Sequence, residues 1–174
     1  MTQLVWGQPL GSIIQFAYVV EDTERAIGEW VDRLGVGPWI VRERFAPPTG
    51  LYRGAPTKAI FTVSRAFSGR TMVELIEQHD DSPSVFNERG PGFHHWGVMT
   101  DTFDADVARY RALGYDEAFN DTLPTGSRVT YVDATRDLPG MIELVEHTDA
   151  QERVYTGYYE ASVGWDGSDP IRRQ

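Results

Sequence analysis

The stretch Met72-Val-Glu-Leu-Ile-Glu-Gln78 returns as Met141-Ile-Glu-Leu-Val-Glu-His147, matching at every position but the last when Val and Ile are treated as equivalent. Upstream of each copy lies a second matching set. Asp22-Thr23, Ala26 and Leu34-Gly35 recur as Asp101-Thr102, Ala105 and Leu113-Gly114, all at an offset of 79. A repeated supersecondary unit constrains a fold more than local propensity does. The chain is therefore read as an α+β protein made of two tandem βαβββ modules.

Working outward, Ile13 to Val20 is β-branched and aromatic, a strand signal. Asp22 then offers an N-cap to a helix with Ile27, Trp30, Val31 and Leu34 on one face, and Gly35 closes it. Strands are expected over 39–44, 58–63 and 72–78, separated by Pro47-Pro48 and by Ser68-Gly69. The second module repeats the order: a strand over 94–100, a helix from Asp101 or Thr102 to Leu113, and strands near 115–123, 127–133 and 141–147. Asp101 is expected to cap that helix, with Asp104 three residues on in a capping-box variant. The divisions are residues 12–78 for the first module, 79–92 for a polar linker, 93–147 for the second module and 148–174 for a C-terminal tail. The tail is turn-rich at Trp165-Asp-Gly-Ser-Asp-Pro170.

Composition narrows the function. With 41% hydrophobic and 24% charged residues among 174, the chain has the makeup of a globular domain, and no apolar run approaches a membrane span. Met1 to Gly11 lacks the basic start and apolar stretch of a secretory signal, so a cytoplasmic location is expected. A net charge of −10, without a Lys/Arg cluster beyond Arg172-Arg173, repels nucleic acid and points to a small-molecule ligand. The absence of cysteine removes disulfides and thiolate metal sites, leaving His, Glu, Asp and Gln as the side chains able to ligate a metal.

A strand shows alternate residues on one face, so Glu74 shares its face with Met72 and Ile76 while Glu77 points the other way. A carboxylate in apolar company asks for a partner charge, and a cation is a natural one. The same holds for Glu143. In the first strands, Gln15-Phe16-Ala17 resembles His95-Trp96-Gly97: a ligand-capable side chain, an aromatic, then a small residue that leaves space. A gapless offset of 79 would pair Gln15 with His94 instead, and His94 stays open as ligand or as a group that orients one.

Singly, a strand glutamine is an ordinary hydrogen-bonded residue and a strand glutamate is ordinarily solvated. What raises Gln15, Glu74, His95 and Glu143 to a candidate metal site is their equivalence in the repeat. Glu77, Glu146, His79 and His147 read as solvated strand ends, and Trp39, Phe45, Tyr52 and Phe61 as core.

Five segments carry a family resemblance: Ile14-Gln15-Phe-Ala-Tyr-Val-Val-Glu-Asp22, Leu34-Gly-Val-Gly-Pro-Trp39, Met72-Val-Glu-Leu-Ile-Glu77, Phe93-His-His-Trp-Gly97 and Gly140-Met-Ile-Glu-Leu-Val-Glu146. In this order they resemble the vicinal oxygen chelate superfamily, the glyoxalase/bleomycin-resistance/dioxygenase fold. The resemblance implies a cupped eight-stranded mixed sheet in which each module's first and last strands supply metal ligands, here Gln15, Glu74, His95 and Glu143. The set is similar to that of zinc-type glyoxalases, whereas the Leu-Gly-Val-Gly-Pro-Trp turn looks like the methylmalonyl-CoA epimerase branch.

The implied cofactor is one divalent ion: Zn, Ni, Co, Mn or Fe. The implied enzyme is an isomerase, epimerase or lyase that removes a proton beside a metal-chelated carbonyl or enediolate, with Glu143 as base and Glu74 opposite it. A ring-cleaving dioxygenase would want two histidines and one glutamate, which Gln15 argues against. A drug-sequestering binding protein would commonly lack the ligand residues. The 45–58 segment and the tail are expected to shape the pocket or a homodimer contact.

Overall fold

The computed structural model describes residues 2–174. Strand β1 (Ile13–Val19) leads into helix α1 (Thr23–Leu34), then β2 (Trp39–Phe45), the short β3 (Leu51–Tyr52) and β4 (Ala55–Pro56), β5 (Phe61–Ser68) and β6 (Thr71–Gln78). A second run follows: β7 (Gly92–Thr100), α2 (Phe103–Ala112), β8 (Glu117–Thr122), β9 (Arg128–Val132), β10 (Met141–Glu146), α3 (Asp149–Ser162) and β11 (Ile171–Arg173). All strands join one curled mixed sheet in the order β11-β2-β5-β6-β1-β7-β10-β9-β8-β3-β4. Among the described residues, no helix is long and apolar enough to cross a membrane.

The sheet thus has 11 strands where eight were expected. The surplus is made of pieces too short to show a period. The β3–β4 hairpin, inside the 45–58 segment, pairs Leu51 with Asn120 and Tyr52 with Phe119 on β8, and β11 runs beside β2. Each covers an edge that would otherwise present unpaired backbone groups.

Burial separates the two faces along β6. Val73 and Leu75 pack with Ile27 of α1 and with Trp39, whereas Met72 and Ile76 belong to a larger cluster with Leu4, Trp6, Phe86 and Tyr155 of α3. Helix α2 covers the second half of the outer face, through Phe103 against Val132 and Leu144. The inner face therefore carries Glu74, and it is closed by α3, by the 85–86 segment and by the N-terminal residues.

Several local expectations change. Asp22 caps α1 as read, its carboxylate accepting from Arg25 N at 2.9 Å, and Gly35 ends the helix at φ +63°, where a Cβ would be strained. Leu34, however, is 63% exposed, so the buried face of α1 ends before it. Thr102, not Asp101, stands at the start of α2, and no side chain caps that helix. Asp104 is drawn away to Arg128, and Asp106 takes the Thr100 and Thr102 hydroxyls instead. The strand expected over 58–63 lies at Phe61–Ser68.

The tail after residue 148 begins with a 14-residue helix, α3, whose N-cap Thr148 accepts from Gln151 N. Tyr155 is buried, with Val154 and Tyr158 packed partly buried beside it, and tyrosines hide an apolar face from a hydropathy reading.

Candidate functional site

Two neighbouring rungs of the sheet carry every candidate. One runs Arg65, Glu74, Ala17, His95 across β5, β6, β1 and β7. The next runs Tyr131, Glu143, Gly97, Gln15 across β9, β10, β7 and β1. Each rung sets the glutamate of one half a single small residue away from the first-strand candidate of the other half. Gly97 makes the crossing possible: a Cβ there would stand 2.8 Å from Gln15 Cβ and 3.2 Å from Glu143 Oε2.

The pairing also resolves the histidine spacing. Ala17 pairs with His95 but Tyr18 with Phe93, so β7 bulges at His94. That extra residue shifts the register by one and gives Gln15 and His95 equivalent places, opposite Met72 and Met141 respectively. It also brings the two imidazoles together. His94 Nε2 lies 2.9 Å from the Val85 carbonyl, which can only accept, so that nitrogen donates. His94 Nδ1 then accepts from His95 Nδ1 at 2.9 Å. His95 Nε2 is left with its lone pair facing the site. Burial keeps both rings neutral, lowering His94 to about 3 and His95 to about 4.

Around that lone pair stand Gln15 Nε2 at 3.1 Å, Glu143 Oε2 at 3.3 Å and Glu74 Oε1 at 3.7 Å. Gln15 Nε2 also donates to Glu143 Oε2 at 3.0 Å. All four residues are buried. Burial pushes both carboxyls up; Arg65 restrains each, and hydrogen bonding by Tyr131 further restrains Glu143.

Arg65 and Tyr131 escaped the sequence reading. Arg65 Nε lies 2.5 Å from Glu74 Oε2, an ion-pair contact with the buried carboxyl. The strand boundary placed at 63 hid it. Phe61, Val63 and Arg65 alternate on an otherwise apolar face, the same signature that singles out Glu74. Glu77, Glu146 and His147 have structural partners away from the site: Glu77 accepts from Thr23 N, Glu146 pairs with Arg128, and His147 meets Glu152.

The donor set suits a hard or borderline divalent ion: one imidazole lone pair, two carboxylates and one amide. Spacings of 3.0 to 3.7 Å among Gln15, His95, Glu143 and Glu74 resemble the edges of a coordination polyhedron with bonds near 2.1 Å, about 3.0 to 3.4 Å. Arg65 behind Glu74 is the kind of outer partner that holds a ligating carboxylate. Among the described residues, no group of three or more His, Asp or Glu side chains is drawn up to hold an ion as it stands. Gln15 presents its amide nitrogen to His95 and Glu143, and a half-turn of the amide presents the oxygen instead. With that turn all four residues offer donor types that fit such an ion.

The site opens into a cavity of about 430 Å³. Phe45, Phe61, Phe86 and Phe119 line it, and Val154, Tyr155 and Tyr158 of α3 close it. Phe45 and Phe61, expected as core alone, therefore face a ligand space as well.

A single curled mixed sheet with the four candidate-bearing strands paired at its centre defines the class of protein. The chain belongs to the glyoxalase/bleomycin resistance protein/dioxygenase superfamily, whose family model matches residues 14–131. No curated protein matches it in sequence. Among solved structures, a hypothetical protein from Bacillus halodurans is similar at TM-score 0.58 and 14% identity, covering 79% of this chain and 95% of that one. Methylmalonyl-CoA epimerase from Mycobacterium tuberculosis is similar at TM-score 0.56 and 18% identity, covering 88% and 95%. A methylmalonyl-CoA epimerase in complex with methylmalonyl-CoA and NH4+ is similar at TM-score 0.52 and 19% identity, covering 82% and 98%. These likenesses are of fold.

Proposed function

We propose that the chain is a divalent-metal-dependent isomerase, epimerase or lyase that moves a proton beside a carbonyl of a small molecule. The observation that carries this reading is the convergence of two buried, proton-hungry carboxyls, Glu74 and Glu143, on the lone-pair side of His95 inside one cavity. Gln15, Glu74, His95 and Glu143 would hold the ion. When bound, it supplies Lewis-acid stabilisation of the negative charge that develops on the substrate oxygen.

Glu143 takes the proton. Burial raises its carboxyl in the ion-free protein; its part as base rests on its place on the cavity wall beside His95. Glu74 faces it across the seam, with Oε1 toward His95 and Oε2 toward Arg65, placed to deliver a proton to the other side of the same carbon. The Val85–His94–His95 chain fixes the His95 tautomer. Phe61, Phe86 and Phe119 keep the space apolar.

One observation favours a second reading. The Gln15 amide and Arg65 already offer partners to Glu143 and Glu74, as a ligand-trapping protein without metal would require. Elemental analysis after reconstitution separates the two. About one divalent ion per chain, with loss of solvent-deuterium exchange into carbonyl substrates after chelation, is the expected result. No uptake, with an unchanged melting temperature, would overturn the metal-dependent reading in favour of the second.

A further inference from the structure

Of the two cations that line the cavity, Arg65 is engaged with Glu74, while Arg42 has no hydrogen-bond or ion-pair partner among the described residues. Arg42 lies over the Phe45 ring, its guanidinium carbon 3.7 Å from the ring centroid, half-buried on the cavity wall. The acid that acts on it, Asp121, lines the same cavity without reaching the guanidinium and accepts from Thr49 Oγ1 at 2.6 Å. With no anion in contact and Asp121 acting only from a distance, burial still outweighs what offsets it at Arg42, which leaves the guanidinium able to take an anion.

The sheet registers fix where that anion would sit. Arg42 pairs with Val63, and Val63 with Ile76, two residues along β6 from Glu74. At about 4.8 Å per strand and about 3.3 Å per residue, the Arg42 and Glu74 backbones are about 12 Å apart. Both residues line the cavity of about 430 Å³ that lies on this face.

The wall between the two ends is aromatic. Phe61 and Phe86 meet edge to face at 4.9 Å, Phe119 and Tyr131 at 5.5 Å, and Tyr155 closes the side toward α3. Such a box accepts a flat ring. A cavity of about 430 Å³ is in the range of sites that enclose a compact ligand. A carrier tail with several phosphates would need several cations, and among the described residues the cavity offers Arg42 alone as a free one.

We propose that the substrate is a free, planar aromatic carbonyl compound with a single anionic group, its carbonyl at Glu74, His95 and Glu143 and its anion on Arg42. The inference rests on the proton-transfer reading above for the placement of the carbonyl end.

A suitable probe is 4-acetylbenzoate, which carries an exchangeable methyl ketone at one end of a ring and a carboxylate at the other; its methyl ester is the neutral twin. Titration calorimetry on the full-length metal-reconstituted protein is expected to show the acid binding at least tenfold more tightly than the ester. Arg42→Gln removes that preference while the ester is unaffected, and Arg42→Lys retains part of it. Equal binding of acid and ester, or a preference that survives Arg42→Gln in a protein of unchanged melting temperature, would overturn the proposal. So would propionyl-CoA binding more tightly than the acid. Binding is read apart from turnover. An Arg42-dependent preference without deuterium exchange leaves the substrate class standing and removes the proton-transfer reading; exchange into the ester, without the preference, does the reverse.

Discussion

Glu74 sits across the ladder from Arg65, and Glu143, its counterpart in the second half, sits across from Tyr131. The strands that bear the two glutamates are near copies, Met-Val-Glu-Leu-Ile-Glu and Met-Ile-Glu-Leu-Val-Glu, while the strands that face them, β5 and β9, share no such pattern. The asymmetry of the site therefore comes from the facing strands and from Gln15 and His95 on the first strands. A guanidinium in contact with the Glu74 carboxyl counters the upward shift that burial gives it and holds it in place. At Glu143 a phenol and an amide hydrogen-bond the carboxyl and no guanidinium among the described residues is in contact with it, which suits Glu143 to the base and Glu74 to the fixed partner.

The largest effect should come from removing the base. Glu143→Gln is expected to lower solvent-deuterium exchange about 10²- to 10⁴-fold while the denaturation midpoint stays near that of the parent. Glu74→Gln is expected to move the midpoint instead, because it strands the Arg65 charge. Matching stability losses in the two variants, measured by urea unfolding, would erase the distinction.

The facing residues sharpen the comparison. Arg65→Met is expected to cost about 3 kcal/mol, the lower end for breaking a buried ion pair, since the exposed 21% of its side chain belongs to a residue that lines the cavity. Pairing it with Glu74→Met should recover most of the loss, because the orphaned charge goes too. Tyr131→Phe keeps the ring and removes one hydroxyl, with about 1 kcal/mol expected. A Tyr131→Phe loss as large as that of Arg65→Met would mean that both halves hold their carboxylates alike.

Glu74 and Glu143 were legible in the sequence because a charged residue in an apolar alternation stands out, and the repeat doubled the signal. His95 was readable only through the size pattern of its neighbours, since the bulge at His94 breaks the even spacing. Arg65 obeyed the same alternation as Glu74 but fell outside a strand whose start was placed too early, after the Pro47-Pro48 turn. Arg42 and the α3 wall could not be read at all, because what brings them to the site is a cavity assembled from β2, β5 and a helix some 80 or more residues further on. The mixed α+β class followed from periodicity; the three short edge strands had too few residues to carry any.

The smallest prediction tests how far the sequence repeat extends into local structure. Asp22 and Asp101 are equivalent in the repeat, yet only Asp22 caps its helix, accepting from Arg25 N. At α2 the hydroxyls of Thr100 and Thr102 converge on Asp106, and the helix start is left without a side-chain cap. Asp22→Ala should then cost about 1 kcal/mol, and Asp101→Ala should stay within about 0.5 kcal/mol of the parent, as for an exposed residue without a structural partner. Urea unfolding of the two variants side by side reads the difference directly. Equal losses would place a cap at Asp101 in solution and make the two helix starts alike; unequal losses would show that the halves share their strands more closely than their helix ends.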